Sequence, residues 1–600
     1  MKNIVKIAIA APNIKLCEPS YNASLCIECA KAADANGADI IVFPELALTG
    51  ATCGDLFFQE LLTESAESAF LDFVKATEDI EVMCFIGLPI KRDGAVYNAV
   101  ACVSEGEILG ITASGAKTRH FASAPDKRAE IDICGQDASF GRDLIYTDEE
   151  SGANIFVKVG EDNAFSADGV NVILNPIAMP EYLGLKKERS DYAAWVSSEL
   201  GLTYVIAGAG EGESGTDGIY AAPRVVYQNG YPITEAELFG DSVVYSTVDL
   251  KKKKRAEVSQ PIESKVLRSP FIPEDETERE EACALALELQ ARALALRMQR
   301  AYAKTAVLGV SGGLDSTLAV LVAAKAMDIL GRGRDNVIAI TMPCFGTTER
   351  TKSNALALAE QLSCSVRTID IKASVNQHFS DIGHDPENYN VVYENSQARE
   401  RTQILMDVAN MENGLVVGTG DLSELALGFA TYNGDHMSMY CVNGSVPKTL
   451  MRAIIAHAAK NSAADGNEKL AEILFDVINT PVSPELLPTE DGDTENKQHT
   501  ESIVGPYELH DFFIYYTVKY GYSPSKVYAL AMEAFSEYAP GDIKQYLEIF
   551  VKRFFAQQFK RSCMPDGPRV TEISFSPRGS WQMPSDSSSA IWRADISSIN

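Results

Sequence analysis

The stretch with the clearest chemical pattern is AVLGVSGGLDST, residues 306–317. Its apolar start predicts a buried parallel strand, and the apolar spacing from Leu314 onward predicts a helix. A strand, a glycine turn and a helix start form an anion site, because backbone N–H groups and the helix dipole point into one concavity. Ser311 and Ser316 could add hydroxyl donors. The Asp315 carboxylate would repel a phosphate unless a divalent cation lay between them, so the pattern predicts phosphate and a cation together.

This loop resembles the pyrophosphate-binding loop of the N-type ATP pyrophosphatases, which split ATP into AMP and pyrophosphate. It is not a Walker A loop, because no Gly-Lys-Ser/Thr follows it. The resembling family includes the synthetase domains of GMP, asparagine and NAD synthesis. The resemblance therefore implies cleavage of ATP to AMP and pyrophosphate, and it leaves open which molecule accepts the AMP group.

The rest of the second half alternates strand-like and helix-like segments. A helix of Ala and Leu is predicted over 280–302, and DNVIAITMP, SVRTIDI and GLVVGTGDLSE predict further strands. This alternation predicts a doubly wound parallel sheet with ligands at the carboxyl ends of its strands. A charged, Pro-bearing segment from Leu250 predicts a linker, which gives two domains, 1–265 and 266–600.

Polar residues cluster where two of these segments meet. Asp421, Ser423 and Glu424 follow a strand that ends near Thr419. Helix capping explains Asp421 or Ser423. It does not explain Glu424 as well, which is a candidate second ligand for magnesium.

A second resemblance indicates which molecule accepts the AMP group of ATP. The segments GTGDLSELALG, ATYNGDHMS, VPKTL, VSPELLP, GPYELHDFF, FKRS and SPRG, within 269–586, are similar in sequence and order to the NAD synthetase domain. The resemblance implies deamido-NAD+ and ATP as substrates and Mg²⁺ as cofactor, held by Asp315 and Glu424. The acidic segment 489–502 is predicted to be a mobile loop and a candidate lid.

The same resemblance assigns two sets of binding residues. Those implied for ATP are Gly309, Val310, Ser311, Gly312, Gly313, Leu314, Asp315, Ser316, Met342 and Thr419. Those implied for deamido-NAD+ are Asn395, Arg399, Arg401, Glu424, Phe429, Ala430, Thr431, Tyr432 and Lys560. Arginine recognises phosphate with parallel donors, although surface charge on a long helix explains most arginine pairs.

The first half contains short apolar runs separated by helical segments, which predicts an α-β sandwich with a mixed sheet. Glu45 follows a buried strand in IVFPELALTG. The carboxylate either accepts hydrogen bonds that shape the turn or acts as a general base whose pKa is raised by apolar surroundings.

The first half also resembles the nitrilase-type glutaminase domain of bacterial glutamine-dependent NAD synthetases, an α-β-β-α sandwich, on IVFPELALTG, CGDLFFQELL, IGLPI and VYNAVACVSEGEILG. In that family a Glu base, a Lys that steadies the oxyanion and a Cys nucleophile hydrolyse glutamine. Glu45 and Lys117 match the first two. The cysteine position is Gly160, in VKVGEDNAF, and glycine has no nucleophile. The resemblance therefore predicts that glutaminase activity has been lost.

Composition limits the remaining functions. The chain has 600 residues, 46% of them hydrophobic and 23% charged, and a formal net charge of −30. That charge argues against a nucleic-acid or membrane-surface partner. The chain has no run of 18 uncharged apolar residues and no signal-peptide pattern, so we expect a cytoplasmic protein. Family resemblance also implies a large homo-oligomer.

Three hypotheses follow from these patterns. The first is an NAD synthetase that uses free ammonia and retains its first domain for structure or assembly. The second is a glutamine-dependent enzyme with another nucleophile or a partner glutaminase. The third is a non-catalytic nucleotide-binding protein. Gly160 favours the first over the second, and the intact SGGLDST, GTGDLSE and FKRS segments argue against the third.

Overall fold

A computed structural model of the chain describes residues 2–161, 168–251, 255–259, 266–346, 349–480 and 504–599, with the backbone alone described at 349–352. Part of the VKVGEDNAF segment, the VSPELLP segment and the predicted lid 489–502 lie outside these residues. The chain divides into two compact units. The first comprises Met1–Ser214 and Ile219–Glu263, and the second comprises Gly215–Gly218 and Ser264–Asn600.

The first unit contains two β-sheets. One has eight strands in the order β14-β1-β2-β3-β4-β5-β7-β6, and the other has six in the order β13-β12-β11-β10-β9-β8. The strands are β1 (Ile4–Ala10), β2 (Ile40–Val42), β3 (Met83–Arg92), β4 (Ala95–Ser104), β5 (Glu107–Ala113), β6 (Ala129–Ile133), β7 (Gln136–Gly141), β8 (Ile145–Asp148), β9 (Ala153–Val157), β10 (Val172–Ile177), β11 (Thr203–Gly208), β12 (Arg224–Gln228), β13 (Tyr231–Glu235) and β14 (Val243–Asp249).

Four layers make up this unit because each sheet buries both faces. Alternate residues of β1 and β10, such as Ile7 and Leu174, form a core between the sheets. The outer face of the eight-stranded sheet packs on α1 (Pro19–Ala35) and α2 (Glu60–Ala76). The outer face of the six-stranded sheet packs on α3 (Leu185–Leu200). A 3₁₀ helix at Ala51–Phe58 completes the described helices. The architecture is the predicted α-β-β-α sandwich with mixed sheets.

The second unit contains a five-stranded sheet in the order β17-β16-β15-β18-β19, with every neighbouring pair parallel. Its strands are β15 (Ala306–Gly309), β16 (Val337–Thr341), β17 (Ser365–Thr368), β18 (Leu415–Gly418) and β19 (Tyr440–Cys441). The order runs outward from β15 in both directions, as in the predicted doubly wound sheet. The topological switch point lies between β15 and β18, where ligands of such sheets bind.

Helices surround this sheet. They are α4 (Glu276–Arg300), α5 (Leu314–Ile329), α6 (Glu349–Gln361), α7 (Lys372–Ile382), α8 (Val391–Met411), α9 (Leu422–Leu427), α10 (Lys448–Ala464), α11 (Glu468–Asn479), α12 (Tyr507–Val518), α13 (Pro524–Ala534), α14 (Pro540–Ala556), α15 (Gln558–Arg561) and α16 (Ala590–Ser597), with a 3₁₀ helix at Arg334–Asn336. Val375 and Val408, from α7 and α8, pack with strand residues in one core. Among the described residues, no helix has both the length and the apolar character needed to span a bilayer.

The helix predicted over 280–302 begins earlier, at Glu276. The Asp275 carboxylate accepts hydrogen bonds from the backbone N–H groups of Thr277 and Glu278, so it caps the helix before its apolar pattern begins. The helix ends at Arg300, and Tyr302 has a left-handed φ of 54°. The predicted start, Glu280, was therefore wrong by about one turn, because an acidic capping segment precedes the segment with apolar periodicity.

Candidate active site

The glycine turn after β15 is braced from inside by its own serines. Gly312 has a left-handed φ of 86°, and Gly313 has extended backbone immediately before α5. Ser311 Oγ accepts a hydrogen bond from Gly313 N (3.2 Å), and Ser316 Oγ donates one to Gly313 O (3.2 Å). The two hydroxyls therefore shape the turn from inside.

Three carboxylates converge beside this turn. Asp315 is in the first turn of α5, and Asp421 and Glu424 lie at the start of α9. One oxygen from each lies within 4.8 Å of the others. Lys448 lies among them: its Nζ is 2.6 Å from both Asp315 carboxylate oxygens. The same Nζ is 2.9 Å from Asp421 Oδ2 and 3.0 Å from Glu424 Oε1.

The charges in this cluster do not balance. Lys448 is 1% exposed and provides one positive charge against three carboxylates. Burial, and then the Asp315 carboxylate, raise the pKa of Glu424 to about 7. Burial also raises the pKa of Asp421 well above its usual range. Although burial opposes it, the carboxylates hold the pKa of Lys448 well above its ordinary value. The arrangement therefore has room, electrostatically, for a further cation, and its oxygen ligands suit a hard divalent ion.

Asp511 links two of the three helices that carry this cluster, α9 and α10. Its carboxylate accepts hydrogen bonds from Ser423 Oγ, from Thr449 N (3.0 Å) and from Thr449 Oγ1 (2.7 Å). Ser423 Oγ also accepts a bond from the backbone N–H of Lys448 (2.9 Å). The starts of α9 and α10 are therefore tied together, which fixes the position of Lys448 relative to Glu424.

Asn443 joins the glycine turn to the end of β18. Its Nδ2 donates to the carbonyl oxygens of Asp315 and Thr419, both at 3.0 Å. The amide itself is oriented by Gln290 Nε2, which donates to Asn443 Oδ1 (3.0 Å). Thr419, predicted to bind ATP, is thus held beside Asp315 at the switch point.

The other residues predicted for ATP lie at the ends of β15 and β16. A Cβ placed on Gly309 would lie 3.3 Å from Met342 Cε and 3.4 Å from Leu405 Cδ1, so a side chain here would crowd the methionine. Val310 donates its N–H to Ile340 O (2.9 Å). Met342, Val310 and the glycine turn therefore share the carboxyl edge of the sheet.

The turn predicted to contact deamido-NAD+ is held from several sides. Lys560 Nζ donates to Gly428 O (2.7 Å) and to Ala430 O. Thr431 Oγ1 donates to Asn395 Oδ1 (2.8 Å). The structure therefore brings together three separate predictions: the segment 429–432, the start of α8 and the lysine near the C-terminus.

Aromatic and arginine side chains extend this group. Arg399 donates to Tyr432 O (3.4 Å), and the Tyr432 ring stacks on His436 with 5.1 Å between centroids. Arg553 lies over the Phe429 ring at 5.7 Å. Arg401 bonds elsewhere: its Nε donates to the carbonyl oxygen of Met342 (3.3 Å), a residue predicted to bind ATP. Tyr432 is 44% exposed, so its ring can stack on a ligand.

In the first unit, Glu45 follows the end of β2, and its carboxylate accepts two hydrogen bonds. Its Oε2 accepts a hydrogen bond from Asn98 Nδ2 (2.9 Å), and its Oε1 accepts one from Ala178 N (2.7 Å). Burial raises the pKa of Glu45 to about 7, although both hydrogen bonds lower it. The carboxyl therefore titrates near neutrality, as a general base would.

Gly160 is directly beside Glu45, as the resemblance implies for the nucleophile position. Its φ is +64°, and a Cβ there would lie 2.7 Å from Glu45 Oε2. Lys117, the predicted oxyanion residue, is exposed on the loop after β5. Among the described residues it does not bond to Glu45, whose partners are Asn98 and Ala178. The structure therefore places Glu45 and Gly160 side by side, with no hydrogen bond from Lys117 to Glu45 among the described residues.

Family models match both halves of the chain. The model described as carbon-nitrogen hydrolase matches residues 6–183, and the model described as NAD synthase matches residues 287–496. A glutamine-dependent NAD(+) synthetase of Mycobacterium tuberculosis is 34% identical over an alignment that covers 99% of this chain and 97% of the relative. The chain belongs to the glutamine-dependent NAD(+) synthetase family. The predicted enzyme class, a ligase that forms a C–N bond, is thereby confirmed.

Other relatives of this NAD(+) synthetase family agree over the full length. A family member from Aquifex aeolicus is 26% identical, with 91% of this chain and 93% of the relative covered. A crystal structure of a glutamine-dependent NAD(+) synthetase from Cytophaga hutchinsonii has a TM-score of 0.79 at 20% identity, covering 99% of this chain and 100% of that one. A structure from Acinetobacter baumannii in complex with ADP has a TM-score of 0.64 at 21% identity. The predicted fold is therefore confirmed in both halves.

Sequence reasoning assigned no role to Lys448 or Asp511. One signal for Lys448 was available: it is the first residue of α10, directly after Pro447. A cation at the positive end of a helix dipole is unfavourable unless something compensates it. Asp511 lies in the segment GPYELHDFF, which resembles the family, but its partners are 62 and 88 residues away in the chain, so no local pattern indicated its role.

Proposed function

We propose that this NAD(+) synthetase converts deamido-NAD+ to NAD+ with ATP and free ammonia, releasing AMP and pyrophosphate. One contrast carries the proposal. The second unit holds a complete phosphate turn with Asp315, Glu424 and Lys448 converging on it. The first unit has Gly160 where glutamine hydrolysis needs a nucleophile.

In the first step, the nicotinate carboxylate attacks the α-phosphorus of ATP, and pyrophosphate leaves. The N–H groups at the start of α5 and the helix dipole stabilise the phosphates. Lys448 Nζ provides positive charge beside Asp315, at the same turn. The protein contributes little covalent chemistry to this step, so positioning and charge stabilisation account for most of the catalysis.

The carboxylate cluster fits magnesium. Asp315 and Glu424, with Asp421 beside them, offer oxygen ligands and, when all three are ionised, two negative charges more than Lys448 neutralises. When bound, Mg²⁺ would neutralise developing charge on the phosphate oxygens. Asp421 Oδ1 also accepts a hydrogen bond from the backbone N–H of Glu424 (2.7 Å). Asp421 therefore helps to orient Glu424, the proposed second ligand, at the start of α9.

In the second step, ammonia attacks the acyl carbonyl of the adenylate, and AMP leaves. The turn that Lys560, Asn395 and Arg399 hold supports the dinucleotide during both steps. Water must be excluded because it would hydrolyse the adenylate. The cytoplasmic location and the large homo-oligomer stay predictions.

Adenylate formation should depend on pH through Glu424. The pKa of Glu424 is raised to about 7, so the carboxyl is mostly protonated below pH 7. The proton then occupies the oxygen that should bind the cation. We expect the kcat/KM for Mg–ATP to rise with pH through about 7 and then level off. Pyrophosphate exchange into ATP, with deamido-NAD+ and no nitrogen donor, measures this without titrating ammonia. A flat wild-type profile, or the same inflection in Glu424→Gln, would contradict the assignment.

The proposed function is tested by comparing nitrogen sources. NAD+ and AMP are measured from ATP and deamido-NAD+ with ammonium, then with glutamine. We expect turnover with ammonium and at most traces with glutamine. Equal turnover with both would support the second candidate, glutamine-dependent synthesis, which the names of the relatives favour. Turnover with neither would support a nucleotide-binding protein instead.

A further inference from the structure

Two cysteines of the first unit have their sulfur atoms in direct contact. Cys17 lies between β1 and α1, and Cys53 lies in the 3₁₀ helix Ala51–Phe58. The two residues are 36 positions apart in the chain, and Cys17 Sγ donates to Cys53 Sγ at 3.3 Å. The S–S bond of a disulfide is about 2.05 Å long, so the sulfurs need to approach by only about 1.2 Å to form one.

Hydrogen bonds already hold both cysteines against the segment that follows Glu45. The backbone N–H of Cys17 donates to Thr49 O (2.9 Å), and Cys53 Sγ donates to the same oxygen (3.2 Å). Both side chains also pack with Leu46 in one apolar cluster. Because Thr49 and Leu46 contact both cysteines, a bond between the sulfurs requires little rearrangement.

The two thiols differ in their access to solvent. Cys17 is partly exposed, whereas Cys53 is only 6% exposed. Burial, and then the contact with Cys17, raise the pKa of Cys53, so this sulfur stays a thiol and is shielded from oxidants. Exposure helps to decide which cysteine an oxidant attacks first. The pair therefore consists of an accessible cysteine and a buried one that can react with its oxidised form.

We propose that Cys17 and Cys53 form a reversible disulfide in the presence of a peroxide, and that this crosslink stabilises the segment after Glu45. Hydrogen peroxide oxidises the Cys17 thiol to a sulfenic acid and is itself reduced to water. The Cys53 sulfur then attacks the Cys17 sulfur. An S–S bond forms, and the sulfenic hydroxyl leaves with the Cys53 proton as a second water. A dithiol reductant breaks the bond again by thiol–disulfide exchange.

The test uses the full-length protein, first reduced and then treated with a small molar excess of hydrogen peroxide. Free thiols are alkylated, and tryptic peptides are analysed by mass spectrometry with fragmentation. Cys53 is the single cysteine of peptide 32–75, whereas peptide 16–31 contains Cys17 and two others. Cys17→Ser removes the accessible thiol. Cys29→Ser is the matched control, because Cys29 is also partly exposed and lies in the same peptide as Cys17.

We expect wild type and Cys29→Ser to contain the two peptides linked through Cys17 and Cys53. The linked species should be lighter by two hydrogen atoms than the two thiol peptides together. The link should be absent in Cys17→Ser, and dithiothreitol should remove it from wild type. Failure of wild type to form this link, or a link of the same two peptides that persists in Cys17→Ser, would overturn the inference.

Thermal unfolding tests whether the crosslink stabilises the first unit. A disulfide between residues 36 positions apart restricts the unfolded chain, so the oxidised protein should unfold about 5 °C or more above the reduced protein. Cys29→Ser should show the same rise, and Cys17→Ser should unfold at one temperature with and without peroxide. A crosslinked wild type without this rise, or an equal rise in Cys17→Ser, would contradict the stabilising role.

Discussion

Replacing Asp315 with asparagine is expected to lower the rate of NAD+ formation by roughly 100- to 1,000-fold. The change keeps the size of the side chain and removes its negative charge. In wild type, both oxygens of this carboxylate accept hydrogen bonds from Lys448 Nζ. The same charge is a proposed magnesium ligand. Asn443 should still hold the loop, since it bonds to the Asp315 backbone carbonyl. The fold should therefore persist while adenylation fails.

The matched control is Asp328→Asn on the same helix. Asp328 has a 47% exposed side chain and pairs with Arg334 at 2.7 Å, away from the carboxylate cluster. We expect it to retain wild-type rates and stability. Initial rates at saturating ATP over a range of Mg²⁺ concentrations, with thermal unfolding of both variants, separate loss of chemistry from loss of fold. Wild-type rates in Asp315→Asn would remove Asp315 from the site.

Replacing Lys448 with methionine should both inactivate and destabilise the second unit. The change leaves three buried or partly buried carboxylates without their ammonium partner. Removing one partner from a buried ionic cluster costs about 3–5 kcal/mol in the free energy of unfolding. Further repulsion should raise the carboxyl pKa values in the folded variant, so the folded state should bind more protons. Because Lys448 lowers the pKa of Glu424, which is about 7 in wild type, the variant should take up its extra proton above pH 7, and the stability deficit should shrink as pH falls towards 7.

Lys325→Met is the comparison for this variant. Lys325 pairs with Glu288 at 2.8 Å and is 36% exposed, so its loss should cost about 0–1 kcal/mol. Urea unfolding at alkaline and neutral pH, with and without Mg²⁺, gives the difference. Magnesium should stabilise Lys448→Met more than wild type, because the cation replaces a missing charge. Equal stability of the two lysine variants would mean that Lys448 is not the counter-ion of the cluster.

Local patterns predicted much of this site because its parts lie at strand ends. The strand, turn and helix around Ser311 are contiguous, and Gly312 takes the left-handed conformation that a glycine turn permits. Thr419 and Met342 follow strands of a parallel sheet, so topology alone places them at one edge. Family resemblance assigned the segment 429–432 and Lys560 to the same ligand. In the structure, Lys560 Nζ donates a hydrogen bond to the carbonyl oxygen of Ala430, in that segment.

Residues whose roles depend on distant partners could not be predicted. Asp511 holds Ser423 and Thr449, and no periodicity links these three positions. The internal hydrogen bonds of Ser311 and Ser316 were also not predicted, while their role as donors to a ligand stays a prediction. In the first unit, the sequence identified Glu45 and Gly160 but not Asn98, whose Nδ2 donates to Glu45 Oε2.

The central claim is that the nitrogen of NAD+ comes from ammonia and not from glutamine hydrolysed by this chain. The most direct measurement supplies unlabelled ammonium together with an equal concentration of glutamine labelled with nitrogen-15 in its side-chain amide. The mass of the NAD+ formed then reports the source. We predict unlabelled NAD+ and intact labelled glutamine at the end of the reaction. NAD+ one mass unit heavier, with glutamate as co-product, would contradict the account.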